Sequence, residues 1–268
     1  MPLSYFAVFT VCFLASLLGP LCGIGGGVII KPVVDALGVM PVAAVSFLSS
    51  ISVLTMSLAT LAQNAAAKTS TVNARSLLPL ALGSAVGGVV GKALFNGMAD
   101  LFPDADAIGA VQAVVLILLS VLVLVYTLNK SRVRYLHIEA AASAAVVGFA
   151  AGACWSFLGI GGGPFNLAIL TFFFAMDSKP AAQASLFIIA FSQTASLVYS
   201  LATGSVPDVA LVALVGACVA AIVGSVVGRR LVKKMDSAAV DRLYLVALVL
   251  IIAISLYNAA RFTGILAF

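Results

Sequence analysis

Two identical glycine-rich stretches are the residues whose types and spacing indicate binding chemistry. The sequence GIGGG occurs at residues 23–27 and again at residues 159–163, each time inside a long apolar run. Glycine costs about 1 kcal/mol relative to alanine inside a helix, so four glycines in five residues predict a helix break. The helix after a break begins with N–H groups that lack intrahelical partners and with the positive end of its dipole. Such a position favours an anion.

We therefore predict an anion-binding site at the paired breaks. Its glycines are Gly23, Gly25, Gly26, Gly27, Gly159, Gly161, Gly162 and Gly163. The alternative is that these glycines only let helices pack closely, as small residues do in membrane helices. Two other sets of glycines have a spacing of four residues, which keeps each set on one face of a helix, and we interpret them as packing residues. They are Gly83, Gly87 and Gly91 in one set and Gly224 and Gly228 in the other.

Three neutral polar residues are placed to complete the site. Ser50 and Gln193 fall near the middle of two later apolar segments when depth is counted at about 1.5 Å per residue, and Asn166 follows the second break. A serine hydroxyl can bond its own helix backbone, so Ser50 also has a purely structural interpretation. The amides of Gln193 and Asn166 need partners if they are buried in apolar sequence.

Lys31 is a cation one helical turn after the first break, and it has two interpretations. It attracts the anion, or it pairs with Asp35 four residues later or extends toward the membrane surface. Its repeat counterpart, Leu167, is neutral, which favours the second interpretation.

Composition places these residues in a membrane protein. The 268-residue chain is 63% hydrophobic and only 9% charged, and no interval is polar enough to form a soluble domain. The net charge of +5 comes from short loops, which does not indicate a nucleic-acid partner. The single histidine, His137, lies in a basic linker, and no set of residues suggests catalysis, a cofactor or a metal. We predict a lipid-embedded protein that is not an enzyme.

The apolar pattern predicts an all-α fold of eight membrane elements in two repeats. The elements cover residues 5–39 with a break at 23–27, 41–64, 76–94, 107–128, 138–176 with a break at 159–163, 180–204, 209–228 and 243–260. The polar interval 130–137 separates a first repeat, 1–129, from a second, 138–268. Pro41 and Ser46 recur as Pro180 and Ser185, at an offset of 139. Weak internal repeats of this kind are common in secondary transporters.

The loop cations indicate that the two repeats are inverted. If each broken element enters the membrane and returns to the same side, eleven cations share one side and three the other. The eleven are Lys68, Arg75, Lys130, Arg132, Arg134, Lys179, Arg229, Arg230, Lys233, Lys234 and Arg242, and the three are Lys31, Lys92 and Arg261. The positive-inside rule then places both chain termini outside, together with the acidic residues Asp100, Asp104 and Asp106.

The doubled motif resembles that of a known family. GIGGGVIIKP in the first half and GIGGG in the second, within eight apolar elements, are similar to the TauE/SafE family of sulfite exporters. The resemblance implies an inner-membrane transporter of sulfite, thiosulfate, organosulfonates or other small anions. It maps the motif glycines and Pro32 onto the family's first motif. The second copy departs from the first, with Pro164 and Asn166 directly after the glycines and Ala168 where a proline would correspond.

Two functional hypotheses follow. The first is a transporter that binds a small anion near the membrane midplane, between the paired breaks. The second is a membrane-embedded scaffold or enzyme subunit that uses the glycines only for packing. Neither hypothesis specifies an oligomeric state, a coupling ion or a direction of transport.

Overall fold

The computed structural model describes residues 3–22, 25–101, 105–232, 235 and 237–265. In chain order the described helices are α1 Leu3–Cys22, α2 Gly27–Leu37, α3 Val42–Ala66, α4 Ala74–Leu101, α5 Ala105–Asn129, a 3-10 turn Lys130–Arg132, α6 Ala141–Leu158, α7 Gly163–Phe174, α8 Ser178–Ala202, α9 Leu211–Val232 and α10 Ser237–Phe262. Both predicted breaks separate two helices. The all-α prediction is therefore confirmed.

Seven of the described helices are long and apolar enough to cross a bilayer, namely α3, α4, α5, α6, α8, α9 and α10. The helices that follow the breaks are shorter, at 11 residues in α2 and 12 in α7, whereas about 20 apolar residues are needed to span a membrane. Leu118, Leu122 and Leu211 are at least 65% exposed, as expected for side chains that face lipid. The protein is a polytopic membrane protein.

The second broken element is a hairpin. Ile138, just before α6, donates its N–H to the carbonyl of Phe173 at the end of α7 at 2.9 Å. Further along, Trp155 of α6 stacks on Phe165 of α7 with ring centroids 4.9 Å apart. Contacts at both levels show that α7 returns alongside α6, so the two ends of this element lie on the same side.

The direction of α1 follows from its contact with α9. A Cβ added at Gly216 would overlap the ring of Phe9, and one at Gly228 would overlap the carbonyl of Leu17. Residue numbers rise together in these pairs. α1 and α9 therefore run parallel.

The direction of α3 follows in the same way. Thr55 donates a hydrogen bond to Cys218 at 3.5 Å, and Gln63 donates one to Ser225 at 3.4 Å. α3 therefore runs parallel to α9 and to α1. Since α1 and α3 point in the same direction, α2 between them must run back, and the first broken element is also a hairpin.

The helix bundle has two ends, which we name by the chain segments they carry. The terminal end carries the start of α1 and the end of α10, where Arg261 donates to the carbonyl of Asp35 at 2.6 Å. The linker end carries residues 130–140 and the start of α10, where Lys130 lies 3.3 Å from Asp241. α3 ends at the linker end, and the N–H of Thr71 just after it bonds the side chain of Gln183 near the start of α8 at 3.0 Å. α3 and α8 are therefore antiparallel.

Glycines hold the hairpins against helices of the other half. A Cβ at Gly83, Gly87 or Gly91 of α4 would overlap a backbone carbonyl of α6, and a Cβ at Gly228 of α9 would overlap one of α1. Small residues at such positions let helix backbones approach closely. The packing role predicted for these two sets of glycines is the one they have in the structure.

We expect Gly87→Val to lower stability before it affects transport. The added Cβ would overlap the carbonyl of Phe149 in α6, and overpacking of this kind costs about 1–3 kcal/mol or more. The matched control is Gly97→Val in the same helix, where a Cβ would meet no atom within 4 Å. Thermal melting of the two purified variants checks the prediction. Equal melting temperatures would contradict it.

The equivalent positions of α3 and α8 differ in residue number by an offset other than the one predicted from matching residue types. Both helices have 25 residues, and their bounds differ by 136 rather than 139. Their last turns are also equivalent, since Thr69 N–H bonds the Asn64 carbonyl and Ser205 N–H bonds the Ser200 carbonyl, both at 3.0 Å. The offset of 136 equals that of the two glycine motifs, so the recurrence of Pro41 at Pro180 is not a structural equivalence.

Candidate functional site

The two breaks meet inside the bundle. A Cβ at Gly25 would lie 3.6 Å from the Cα of Gly163, and one at Gly27 would overlap the carbonyl of Ile160. Gly26 packs against α1, where its Cβ would lie 3.3 Å from the carbonyl oxygen of Ala15. All of these glycines are buried. Gly23 lies outside the described residues.

One residue from each half flanks both breaks. Val53 of α3 and Ile189 of α8 would each lie within 4 Å of a Cβ at Gly25 and of a Cβ at Gly161. The two side chains differ by 136 in number, the same offset as the breaks. The junction of the hairpin tips therefore lies between α3 and α8.

The second break depends on glycine for its backbone conformation. Gly159, Gly161 and Gly162 have φ values of +66°, +73° and +91°, a region that other residues rarely adopt. Gly159 ends α6, where a Cβ would lie 2.8 Å from the Cβ of Ser46. Among the bonds of the described residues, none is donated by the amides of Gly161, Gly162 and Gly163. Consecutive amides of this kind form concave positions that suit anions.

Asn166 lies in the first turn of α7 and joins the two arms of the hairpin. The indole N–H of Trp155 donates to its Oδ1 at 2.7 Å, whereas its Nδ2 is buried without a partner among the described residues. The hydroxyl of Tyr244 on α10 bonds the carbonyl of Pro164 at 2.9 Å. One end of the Asn166 amide is thus structural, and the other remains a free donor.

Ser50 and Gln193 lie together in a narrow cleft between α3, α4 and α8. The cleft is lined by Phe47, Ser50, Ile51, Leu54, Lys92, Gln193, Ser196, Leu197 and Ser200. Gln193 is 2% exposed, and neither atom of its amide has a partner among the described residues. Since Gln193 is one turn from Ile189, and Ser50 one turn from Val53, the cleft adjoins the hairpin tips.

Lys92 is the cation of this cleft, and it was not among the predicted site residues. It is 8% exposed, and its ammonium lies 4.9 Å from the ring centroid of Phe95. Within the described ranges its ammonium has no ion-pair partner. The sequence pattern ended this segment at residue 94, which made Lys92 a loop-end cation, but α4 continues to Leu101 and keeps Lys92 inside. A buried cation beside neutral donors can bind an anion.

Lys31 is held by its own helix. Its ammonium lies 2.7 Å from Oδ2 of Asp35, and both side chains are buried. The pair faces Gln112, Ser255 and Asn258 in a second pocket, away from the Lys92 cleft. This geometry agrees with the interpretation in which Lys31 pairs with Asp35, whose carboxylate neutralises its charge.

We expect Lys31→Met to reduce folded yield and leave anion binding intact. The substitution leaves the carboxylate of Asp35 buried and unpaired, which costs about 3–5 kcal/mol. Adding Asp35→Leu to the same variant should recover most of the loss. Melting temperatures with and without sulfite check both statements. Weakened sulfite binding at an unchanged melting temperature would place Lys31 on the anion instead.

No group of three or more His, Cys, Asp or Glu side chains converges in the part of the chain that the structure describes. His137 is exposed in the linker. Within the described residues, the candidate site therefore consists of backbone amides, neutral donors and one lysine.

Comparison with protein families identifies one match. The family model for the sulfite exporter TauE/SafE matches residues 8–256 of the chain. No curated protein and no solved structure gives a match.

Proposed function

The chain belongs to the sulfite exporter TauE/SafE family, and from that premise we propose that it carries a small anion such as sulfite, thiosulfate or an organosulfonate across the cell's inner membrane. The family and the multi-pass fold make it a membrane transporter.

One observation carries the proposed site. Lys92, Ser50 and Gln193 come from three helices of both halves, and they converge on one cleft. The lysine supplies a positive charge, and the hydroxyl and the amide N–H groups supply donors, of which the amide has no partner among the described residues. Charge-assisted hydrogen bonds of this kind are stronger than neutral ones. In the proposed site one small oxyanion contacts all three groups.

The hairpin tips extend the site inward. Ile189 lies one helical turn from Gln193 on α8 and packs against Gly161. The amides of Gly161, Gly162 and Gly163 therefore lie on the far side of Ile189 from the cleft. The tips would receive the anion from the cleft when the packing between the two breaks opens. In this proposal the glycines have both roles considered for them, since they pack the hairpins together when closed and expose amides when open.

The directions of the helices support two inverted repeats, 1–129 and 138–268, joined by 130–137. Each half begins with a hairpin, and α3 is antiparallel to its counterpart α8. If each broken element is such a hairpin, most loop cations lie on one side of the membrane, which is the linker end. By the positive-inside rule that end faces the cytoplasm, and both termini face outward. Asp104, Lys233 and Lys234, which entered this argument, lie outside the described residues.

Single cysteines test this orientation. In a variant without the native cysteines, cysteines at positions 68 and 131, replacing Lys68 and Ser131, should react with an impermeant thiol reagent only from the cytoplasmic side. A cysteine replacing Asp208 should react only from outside. Labelling of intact cells and of inverted vesicles measures the two sides. Opposite reactivity of positions 68 and 131 would contradict the hairpin arrangement.

Purified protein in liposomes tests the function itself. We expect uptake of labelled sulfite or a sulfonate above the level of empty liposomes, and anion-induced thermal stabilisation in a panel of oxyanions. A ligand present at 100 times its Kd stabilises by about 2.7 kcal/mol, which a melting assay detects. Association with a partner protein without flux of any anion in the panel would favour the scaffold or enzyme-subunit hypothesis.

A further inference from the structure

A second repeated motif carries a cation in each half of the chain. Residues 87–92 are GGVVGK and residues 224–229 are GSVVGR, at an offset of 137. In both halves the last glycine of the motif packs against the backbone of a hairpin helix from the other half. Lys92 on α4 and Arg229 on α9 therefore occupy equivalent positions.

The polar residues around the two cations also correspond. With α3 and α8 aligned at their offset of 136, Ser200 of the Lys92 cleft is the counterpart of Asn64. In the same alignment Gln193 and Ser196 of the cleft correspond to Ser57 and Thr60. In each place a cation of one half therefore lies beside a helix of the other half that carries a row of hydroxyls and amides.

The two equivalent places differ in their contacts. Arg229 donates from Nε to Oδ1 of Asn64 at 2.8 Å and from Nη2 to the Thr69 hydroxyl at 3.2 Å. Apolar side chains occupy the region that corresponds to the Lys92 cleft. Leu186, at the position equivalent to Ser50, packs there against Met56. Lys92 faces a cleft, whereas Arg229 is tied to α3.

A polar side chain without a partner lies on α3 about two helical turns before Asn64, the residue that Arg229 bonds. Ser57, the counterpart of Gln193, is fully buried, and its hydroxyl has no partner among the described residues. A buried hydroxyl without a partner is unfavourable in this conformation. It gains a partner if an anion, or a water molecule in its place, enters between α3 and α9.

We propose that Arg229, Asn64 and Ser57 form a second binding site for the same oxyanion, at the linker end, which is closed in this conformation by the bonds from Arg229 to Asn64 and Thr69. The inference rests on the proposed transport function. Transporters built from repeats open to each side of the membrane in turn, as one bundle of helices moves against the other. Lys92 then receives the anion from the terminal end, and Arg229 passes it to the linker end.

The chemistry of arginine fits this role. Its planar guanidinium presents several N–H donors in a fork that matches oxyanions. Two of those donors are held by neutral acceptors rather than by a carboxylate. An anion competes well for such a group, because charge-assisted hydrogen bonds are stronger than those to neutral oxygens.

Arg229→Met, measured in liposomes and in melting assays with sulfite, tests the second site. We expect sulfite flux about tenfold lower or more, with the sulfite-induced stabilisation of the parent retained, because the Lys92 cleft is intact. Arg229→Lys should recover part of the flux. The matched control Arg230→Met removes an exposed cation next in sequence and should equal the parent in both assays.

A second variant separates anion contact from a structural clamp. Thr69→Val removes one partner of Arg229 but keeps the cation, and we expect it to retain flux. If Arg229→Met only lowers the melting temperature and leaves flux per folded protein unchanged, the second site is wrong while transport stands. If the parent itself carries no oxyanion, the proposed function fails and the second site fails with it.

Discussion

Lys92→Met should bind sulfite about 30-fold more weakly or worse and should lose transport. The lysine is the buried cation of the cleft, and it has no ion-pair partner within the described ranges. Truncating one member of a buried charge pair costs about 2–5 kcal/mol, and each 1.4 kcal/mol is tenfold in affinity. The loss should appear in both the flux and the sulfite-induced rise in Tm.

Two control variants define what a loss at Lys92 means. Lys92→Arg keeps the charge and should retain measurable binding. Arg132→Met removes an exposed cation from the linker and should resemble the parent, which shows that the total charge is not responsible. Full flux in a well-folded Lys92→Met variant would exclude the cleft as the anion site.

Gly162→Val should abolish transport and lower stability at the same time. The residue has φ +91°, and a Cβ would overlap the indole of Trp155. Strained backbone of this kind costs about 1–3 kcal/mol, and displacement of Trp155 also breaks its bond to Asn166. Thermal melting and sulfite flux measure the two losses. Gly204→Val is the control for strain alone, because Gly204 has φ +66° but no atom within 4 Å of a Cβ.

Gly26→Val distinguishes an anion contact from packing at the other break. The nearest atom to a Cβ here is the carbonyl oxygen of Ala15 at 3.3 Å, so the chain should fold with a smaller loss of stability than Gly162→Val. The valine methyl groups would nevertheless crowd the backbone of the first break, where the N–H of Gly27 bonds the Gly25 carbonyl in this conformation, and we expect transport to be abolished. Parent-like transport in both Gly26→Val and Gly162→Val would contradict the binding role of the breaks.

The helices were predictable from the sequence because long apolar runs and glycine breaks are strong local signals. The boundary of α4 was not, because Phe95 and the residues after Lys92 continue the helix without a strong apolar pattern. The correspondence of α3 with α8 was placed three residues off, since matching proline and serine types outweighed the common helix length. Residue type is a weaker guide to equivalence than the ends of the elements.

The convergence of Ser50 and Gln193 was predictable, because proximity depends here on depth along a helix. Counting residues placed Ser50 and Gln193 at similar depths, and the structure brings them to one cleft. Lys92 was not predicted as a site residue, because its depth in the membrane depends on where α4 ends. The close contact between Gly27 and Ile160 was not predictable either, because it depends on packing between segments that are distant in sequence. The pairing of Lys31 with Asp35 was one of two interpretations, and only the orientation of the side chains could distinguish them.

The glycine contacts between α4 and α6 and between α1 and α9 affect how the molecule can move. In each pair the backbones touch, one helix comes from the first half of the chain, and the other from the second. Closely packed backbones move together more readily than they slide apart. We infer that the parts that move together are mixed units of one hairpin and one crossing helix. The linker then connects two interlocked units, and we expect a chain cut in the linker to stay associated through the contacts between helices.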